Sequence, residues 1–212
     1  MTSIVNIGRR IELVPIDPHF KDITIALYLQ DLDSRAVFRV HTYSRLEGAA
    51  KRIQEVINIM QTLGGMQKTS DSLLYFPCGD KHEAACRRVF LEACKLTSDT
   101  HVQPRPLNIL DKKSKLTISV DSLGSGTYSV KSNGEGRRAE RRISSIAAGL
   151  IKLGEMEPAE ENSTDSVKFP CGQSHDELIG LLLVRAPNVR IILREEEADA
   201  ARGMLTAPSQ QT

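Results

Sequence analysis

Two cysteine–histidine pairs carry the most explicit chemistry in this chain. Cys78 and His82 stand four residues apart, and so do Cys171 and His175. Thiolate and neutral imidazole both ligate borderline-soft metal ions, and two of each would complete a tetrahedral zinc site. One pair cannot close such a site, so a metal requires the two segments to face each other in the fold. Cys-x-x-x-His is not a familiar zinc-finger spacing, and the plainer expectation is structural. A small Cys sits at a crowded strand end, Gly permits a turn, and His packs in the first turn of a helix. The same cysteines also read as nucleophiles. A thiol just before a helix N-terminus gains from the positive end of the dipole, which lowers its pKa, and a nearby histidine can serve as base. Yet a Cys-His enzyme also needs an orienting group and an oxyanion hole, and it has little use for two copies of the device. The expectation is no cofactor, with zinc as the alternative.

A second candidate is the run Arg137-Arg138-Ala-Glu-Arg141-Arg142 after Asn133-Gly-Glu-Gly136. Arginines beside helix N-terminal N–H groups suit an anion or phosphate. Against this, cationic side chains oppose the dipole there, and a charge cluster is commonly a solvated face or is paired, here with Glu195–Glu197. His41 shares a strand face with Arg39 and Tyr43, a solvent or interface face. No GxGxxG, Walker, HExxH, GxSxG or paired CxxC pattern occurs.

The elements that must position these residues occur twice. A shift of 93 residues lays Phe76-Pro-Cys-Gly79 over Phe169-Pro-Cys-Gly172, His82 over His175 and Ile23–Leu27 over Leu116–Val120. The same shift matches Arg45 and Glu47 to Arg138 and Glu140, and Ile53, Ile57 and Met60 to Ile146, Leu150 and Leu153. One offset serving segments throughout each half reads as internal duplication. Each half then holds an extended segment (Ile11–Ile16; Leu107–Leu110), a strand (Ile23–Leu29; Leu116–Val120) and a turn (Asp31–Ser34; Leu123–Gly126). A return strand (Ala36–Tyr43; Thr127–Lys131) leads to a helix whose apolar residues recur at helical spacing. Gly64-Gly65 stops the first of these helices. A short strand (Leu73–Phe76; Val167–Phe169) precedes the Pro-Cys-Gly turn and a second helix. Asp80/Glu83 and Ser174/Glu177 have capping-box spacing for that helix, and Pro187 stops it in the second half. A last strand, Val189–Leu193, is expected without a partner in the first half.

The fold class is therefore α+β, a duplicated β-β-α-β-α unit with helices on one face of a mostly antiparallel sheet. The units are 1–96 and 107–205, joined by a linker 97–106 and followed by a tail, 206–212.

Composition bounds the function. The 212 residues carry 28 Lys+Arg and 27 Asp+Glu, a net charge of +1 shared evenly by the halves, so neither half is an electrostatic footprint for DNA. With five Phe, four Tyr and no Trp, any stacking platform must be built from very few side chains. The longest apolar run is far short of a membrane span, and the N-terminus does not read as a signal peptide. Four cysteines fit a reducing, cytoplasmic setting. The leading expectation is a non-enzymatic binding or assembly module for a protein partner or self-association, with nucleic acid and membrane disfavoured. The alternatives are a zinc-stabilised or thiol-dependent protein and an anionic-ligand or RNA binder using the arginines.

Overall fold

Turn residues and short apolar runs give the same order of elements twice. The computed structural model describes residues 8–32, 35–97 and 102–205. The first half comprises β1 (Arg9–Val14), β2 (Ile25–Leu32), β3 (Arg35–Thr42), α1 (Ala49–Gly64), β4 (Gln67–Ser70), β5 (Leu73–Tyr75) and α2 (Glu83–Ala93). The second comprises β6 (Asn108–Asp111), β7 (Leu116–Gly124), β8 (Thr127–Ser132), α3 (Arg137–Gly154), β9 (Glu157–Pro158), β10 (Ser166–Lys168) and α4 (Asp176–Arg185). Each half forms its own five-stranded sheet, ordered β1-β2-β3-β5-β4 and β6-β7-β8-β10-β9. The strand pairs are antiparallel. This is the α+β architecture expected, and the two halves are consistent with a duplicated unit. The edge strands β4 and β9 are additional. They are four and two residues long and wholly exposed, so they lack the apolar alternation that marks a strand in sequence.

The end of the chain differs from expectation. Val189–Leu205 is a helix, α5, entered through a 3-10 turn at Ala186–Asn188. The run Val-Arg-Ile-Ile-Leu has strand composition over five residues, but it continues into Arg-Glu-Glu-Glu-Ala, strong helix formers. Val189 and Ile192, one helical turn apart, pack on the core, while Ile191 points outward. The turn at Asp31–Ser34 extends into residues 33–34, outside the described residues, as do part of the linker and the tail.

The correspondence between halves is also more articulated than one offset. Strand pairing sets Ile25 and Leu27 against Ile118 and Val120, a shift of 93. Across the hairpin, Val40 faces Leu27 whereas Val130 faces Val120, so β3 and β8 correspond at 90. The long helices keep that shift. Gly64 ends α1 and Gly154 ends α3, and both helices are followed by a left-handed cap, Gly65 or Glu155. The buried faces agree at the same shift: Val56, Ile57, Met60 and Leu63 match Ile146, Ala147, Leu150 and Leu153. Ile53 therefore corresponds to Ile143 rather than to Ile146. Three residues missing from the second hairpin return before β10, which restores 93 at the Pro-Cys-Gly turns.

The corrected register exposes a shared ion pair. Asp17, just beyond β1, accepts from Arg52 Nε at 3.0 Å, with both side chains fully buried. Arg52 also donates to the carbonyls of Cys94 (2.9 Å) and Leu96 (2.8 Å), so it ties the first strand, α1 and the end of α2 together. In the second half Asp111 takes two hydrogen bonds of 2.6 Å from Arg142. Both carboxylates also accept backbone N–H groups, from His19 and Phe20 in one half and from Ser114 in the other. Burial raises the Asp111 pKa, but the hydrogen bonds from Arg142 and Ser114 prevail and hold the carboxyl well below its ordinary value.

Replacing Asp17 with Ala removes the fully buried one of the two carboxylates on the Arg52 guanidinium, leaving Glu55, and should cost about 3 kcal/mol in urea unfolding. For Asp111 the sign follows from its depressed pKa: its contribution is present above the ordinary carboxyl value and disappears as pH falls toward the folded one. The stability gap between the native chain and Asp111→Asn should shrink as pH drops below about 4. A gap independent of pH in that range would show that the carboxylate is not the stabilising species.

Candidate metal centre

Each Phe-Pro-Cys-Gly segment closes a tight turn. Gly79 N–H donates to the Phe76 carbonyl at 2.8 Å and Gly172 N–H to Phe169 at 3.0 Å. Pro in the second position presets φ, and Gly in the fourth takes a positive φ, +83° at Gly79 and +69° at Gly172. The cysteine is thereby held at the apex, half-buried. Three residues after each glycine the chain reaches the start of α2 or α4, with His82 and His175 as the N-cap residues. Neither helix uses the capping box that the Asp80/Glu83 and Ser174/Glu177 spacing predicts, because α2 begins two residues, and α4 one residue, later than that pattern requires. His82 adopts a left-handed conformation, φ +37°, strained for a non-glycine residue. His175 N–H donates instead to the Tyr128 hydroxyl (2.6 Å), which itself donates to Asp176 (2.8 Å).

The halves meet at these two turns. The second helix of each half packs on the long helix of the other, α2 against α3 and α4 against α1. Arg88 on α2 donates to the Leu153 carbonyl of α3 at 3.0 Å. Glu155, just past α3, accepts the Ala84 N–H in the first turn of α2 at 3.2 Å. At the corresponding place in the other half, Gly65 lies against the Glu177 carboxylate. These reciprocal contacts bring both histidines to one point. The His82 and His175 ring centroids lie 4.8 Å apart, edge to face. Phe76 and Phe169 wall them in, with centroid distances to the histidines of 4.9–5.8 Å.

The sequence-derived set Cys78, His82, Cys171 and His175 thus converges, although the structural reading was the one favoured from sequence. All four ligating atoms lie within 4.8 Å of one another. Cys78 Sγ is 3.2 Å from His82 Nε2, and Cys171 Sγ is 3.3 Å from His175 Nε2. Burial lowers the pKa of His82; burial, then the neighbouring His82, lowers that of His175 to about 4. Both shifts favour the neutral imidazole, the state a metal ligand requires. Burial pushes the Cys78 thiol up to about 11; a backbone hydrogen bond at Asp80 opposes the shift, and the Cys171 sulfur adds to it. That is the reverse of the depressed value expected from a helix dipole. The physical reason is position: Cys78 sits in the turn, five residues ahead of the first residue of α2, beyond the reach of the helix terminus.

The arginine cluster divides. Arg142 belongs to the ion pair with Asp111, the counterpart of Arg52–Asp17, so the shared architecture accounts for it. Its carboxylate partner among the described residues is Asp111, not Glu195 or Glu197; the Glu196 side chain lies outside them. Arg138 reaches the Lys113 carbonyl at 3.4 Å, and Arg137 and Arg141 are exposed on the first turns of α3.

Comparison with known proteins returned no match to a family model, a curated protein or a solved structure. Among the described residues, no helix is long and apolar enough to cross a membrane.

Burial orders the four thiols. In metal-free native protein, iodoacetamide should modify Cys78 and Cys171 first, while Cys86 and Cys94, which are buried, should react only on unfolding. Peptide mass spectrometry reads the order, and early labelling of Cys86 would contradict the packing.

Proposed function

We propose that this chain is a non-enzymatic binding or assembly module whose two halves are clamped together by one zinc ion on Cys78, His82, Cys171 and His175. The observation that carries the proposal is the convergence of four ligating atoms within 4.8 Å, two from each half. Zinc–sulfur bonds of about 2.3 Å and zinc–nitrogen bonds of about 2.0–2.1 Å in a tetrahedron place neighbouring ligand atoms roughly 3.3–3.8 Å apart. The Cys–His separations of 3.2 and 3.3 Å already lie near that range. Two soft thiolates with two imidazoles in tetrahedral array favour zinc over the harder divalent ions.

The donor set also argues for a structural role. Four protein ligands close the coordination sphere and leave no position for water or substrate, unlike the three-ligand pattern of catalytic zinc. Two sulfurs facing each other in a half-buried site resist ionising together unless a cation joins them, and zinc supplies that charge. The raised Cys78 pKa disfavours the thiol-enzyme alternative, since the nucleophile is the thiolate.

Purified protein should contain about one zinc per chain by plasma mass spectrometry, and Cys171→Ser should abolish it. Adding zinc to chelator-treated protein at about 100-fold over its dissociation constant should raise Tm by roughly 5–10 °C. Cobalt in place of zinc should give the visible absorption of a tetrahedral thiolate site. Metal-free protein whose Tm ignores zinc, or a Cys78–Cys171 disulfide in the purified protein, would refute the clamp.

A further inference from the structure

The face of the first sheet turned away from the helices holds an unexpected concentration of rings and uncompensated cations. In the β2–β3 register, Tyr28 is paired with Arg39 and Ala26 with His41, all pointing away from the core face of Leu27, Phe38 and Val40. Alternate residues of β3 and its continuation give this face Arg35, Val37, Arg39, His41 and Tyr43. Tyr75 joins from β5, and Arg10 on β1 lies opposite Tyr28. Three of the chain's four tyrosines therefore sit on one face.

The rings form two groups. The Tyr28–His41 and His41–Tyr43 pairs are edge to face, with centroids 6.3 and 5.1 Å apart, and the Tyr28 and Tyr43 hydroxyls are hydrogen-bonded. At the other end the Arg35 guanidinium lies 4.5 Å over the Tyr75 ring. There a shallow depression of about 230 Å³ is lined by Leu32, Arg35, Val37, Thr69 and Tyr75. Between the groups Arg39 donates only to neutral atoms, Ser72 Oγ at 3.3 Å and Gln30 Oε1 at 3.5 Å, and its Nε is buried with no partner. Among the described residues neither Arg35 nor Arg39 has a carboxylate partner.

The second sheet supplies an internal control. Its equivalent face carries Asp121 for Tyr28, Ser129 for Arg39, Lys131 for His41, Asn133 for Tyr43 and Lys168 for Tyr75. Its charges are paired, Lys131 with Asp121 at 2.6 Å and Lys168 with Glu157 at 3.9 Å. The same fold is thus built without rings or free cations on this face, so folding does not account for them in the first half. We infer that the open face of the first sheet, with Arg10, Arg35, Arg39, His41, Tyr43 and Tyr75, binds single-stranded nucleic acid. The exposed Tyr43 ring and the half-buried His41 and Tyr75 rings offer π-faces on which bases stack without sequence preference, while the buried Tyr28 supports them through its contacts with His41 and Tyr43. Arginines with no carboxylate partner among the described residues hold the backbone phosphates. The i, i+2 spacing along β3, about 6.8 Å, presents these groups in a row. This surface is remote in sequence from the arginine cluster of α3 and does not depend on the zinc clamp.

Fluorescence anisotropy with labelled eight-nucleotide single strands of mixed sequence, one RNA and one DNA, tests the inference; the difference between the two arms tells which sugar is preferred. Binding should weaken with salt at a slope of about −0.7 per phosphate contacted, near −2 for the three arginines of the face. Tyr43→Ala and Arg35→Ala, both at exposed positions, should weaken binding about 5- to 100-fold with unchanged melting. Lys131→Ala and Asn133→Ala on the second sheet should leave it unaltered. No binding by about 0.1 mM protein at low salt, equal affinity for a duplex of the same sequence, or equal loss from the second-sheet variants would overturn the assignment. So would displacement by an acidic peptide at the same concentration as the oligonucleotide, which would mark the face as a protein-binding surface.

Discussion

The contact on which the rest of the molecule depends is the edge-to-face packing of His82 on His175 between Phe76 and Phe169. Each ring comes from the same place in its own half, so the contact exists only if the halves are related by a near-twofold arrangement. That arrangement in turn requires α2 to lie on α3 and α4 on α1. The apolar faces of the four helices merge into one hydrophobic cluster that includes residues of both sheets. Two five-stranded sheets of this size would each be marginal alone; sharing a core lets both bury their inner faces.

Within that frame, buried charge fixes local geometry where apolar packing cannot. Arg52 joins three elements through four acceptors: Asp17, Glu55 and the carbonyls of Cys94 and Leu96. Arg142 repeats the pairing with Asp111 but is slightly exposed and lacks the carbonyl contacts. A buried ion pair is weak evidence of net stabilisation, yet breaking one is costly, so these pairs discriminate against other placements of the first strand.

Much of this was legible in the sequence, and the failures have physical causes. The hairpin strands, the long helices, the Phe-Pro-Cys-Gly turns and the two-part plan follow from periodicity and turn chemistry. The helix register did not follow, because three residues are nearly one turn of 3.6. An amphipathic helix slid by three still matches apolar to apolar, so Ile53 over Ile146 looked as good as Ile53 over Ile143. Residues that do not recur every turn break the tie: Arg52 with Arg142, Gly64 with Gly154, Met66 with Met156. The convergence of the Cys/His pairs was beyond reach for another reason. Each pair is local, but the distance between pairs is set by helix packing across the whole chain, which no spacing encodes. The open face of the first sheet was visible as Arg39, His41 and Tyr43 in alternation; its significance emerged only beside the paired charges of the second sheet.

The exchange of helices between halves sets an order of events during synthesis. When the first half has left the ribosome, the surface of α1 that α4 will cover and the rings of Phe76 and His82 are still bare. They stay so until about a hundred further residues have emerged, some five to twenty seconds at ordinary elongation rates. A chain interrupted in that interval holds a nearly complete sheet with an uncovered apolar layer, the kind of species that associates with its own copies or is held by a chaperone. The boundary between the halves is thus real in the sequence and absent from the energetics: neither half has a finished surface until the other is made.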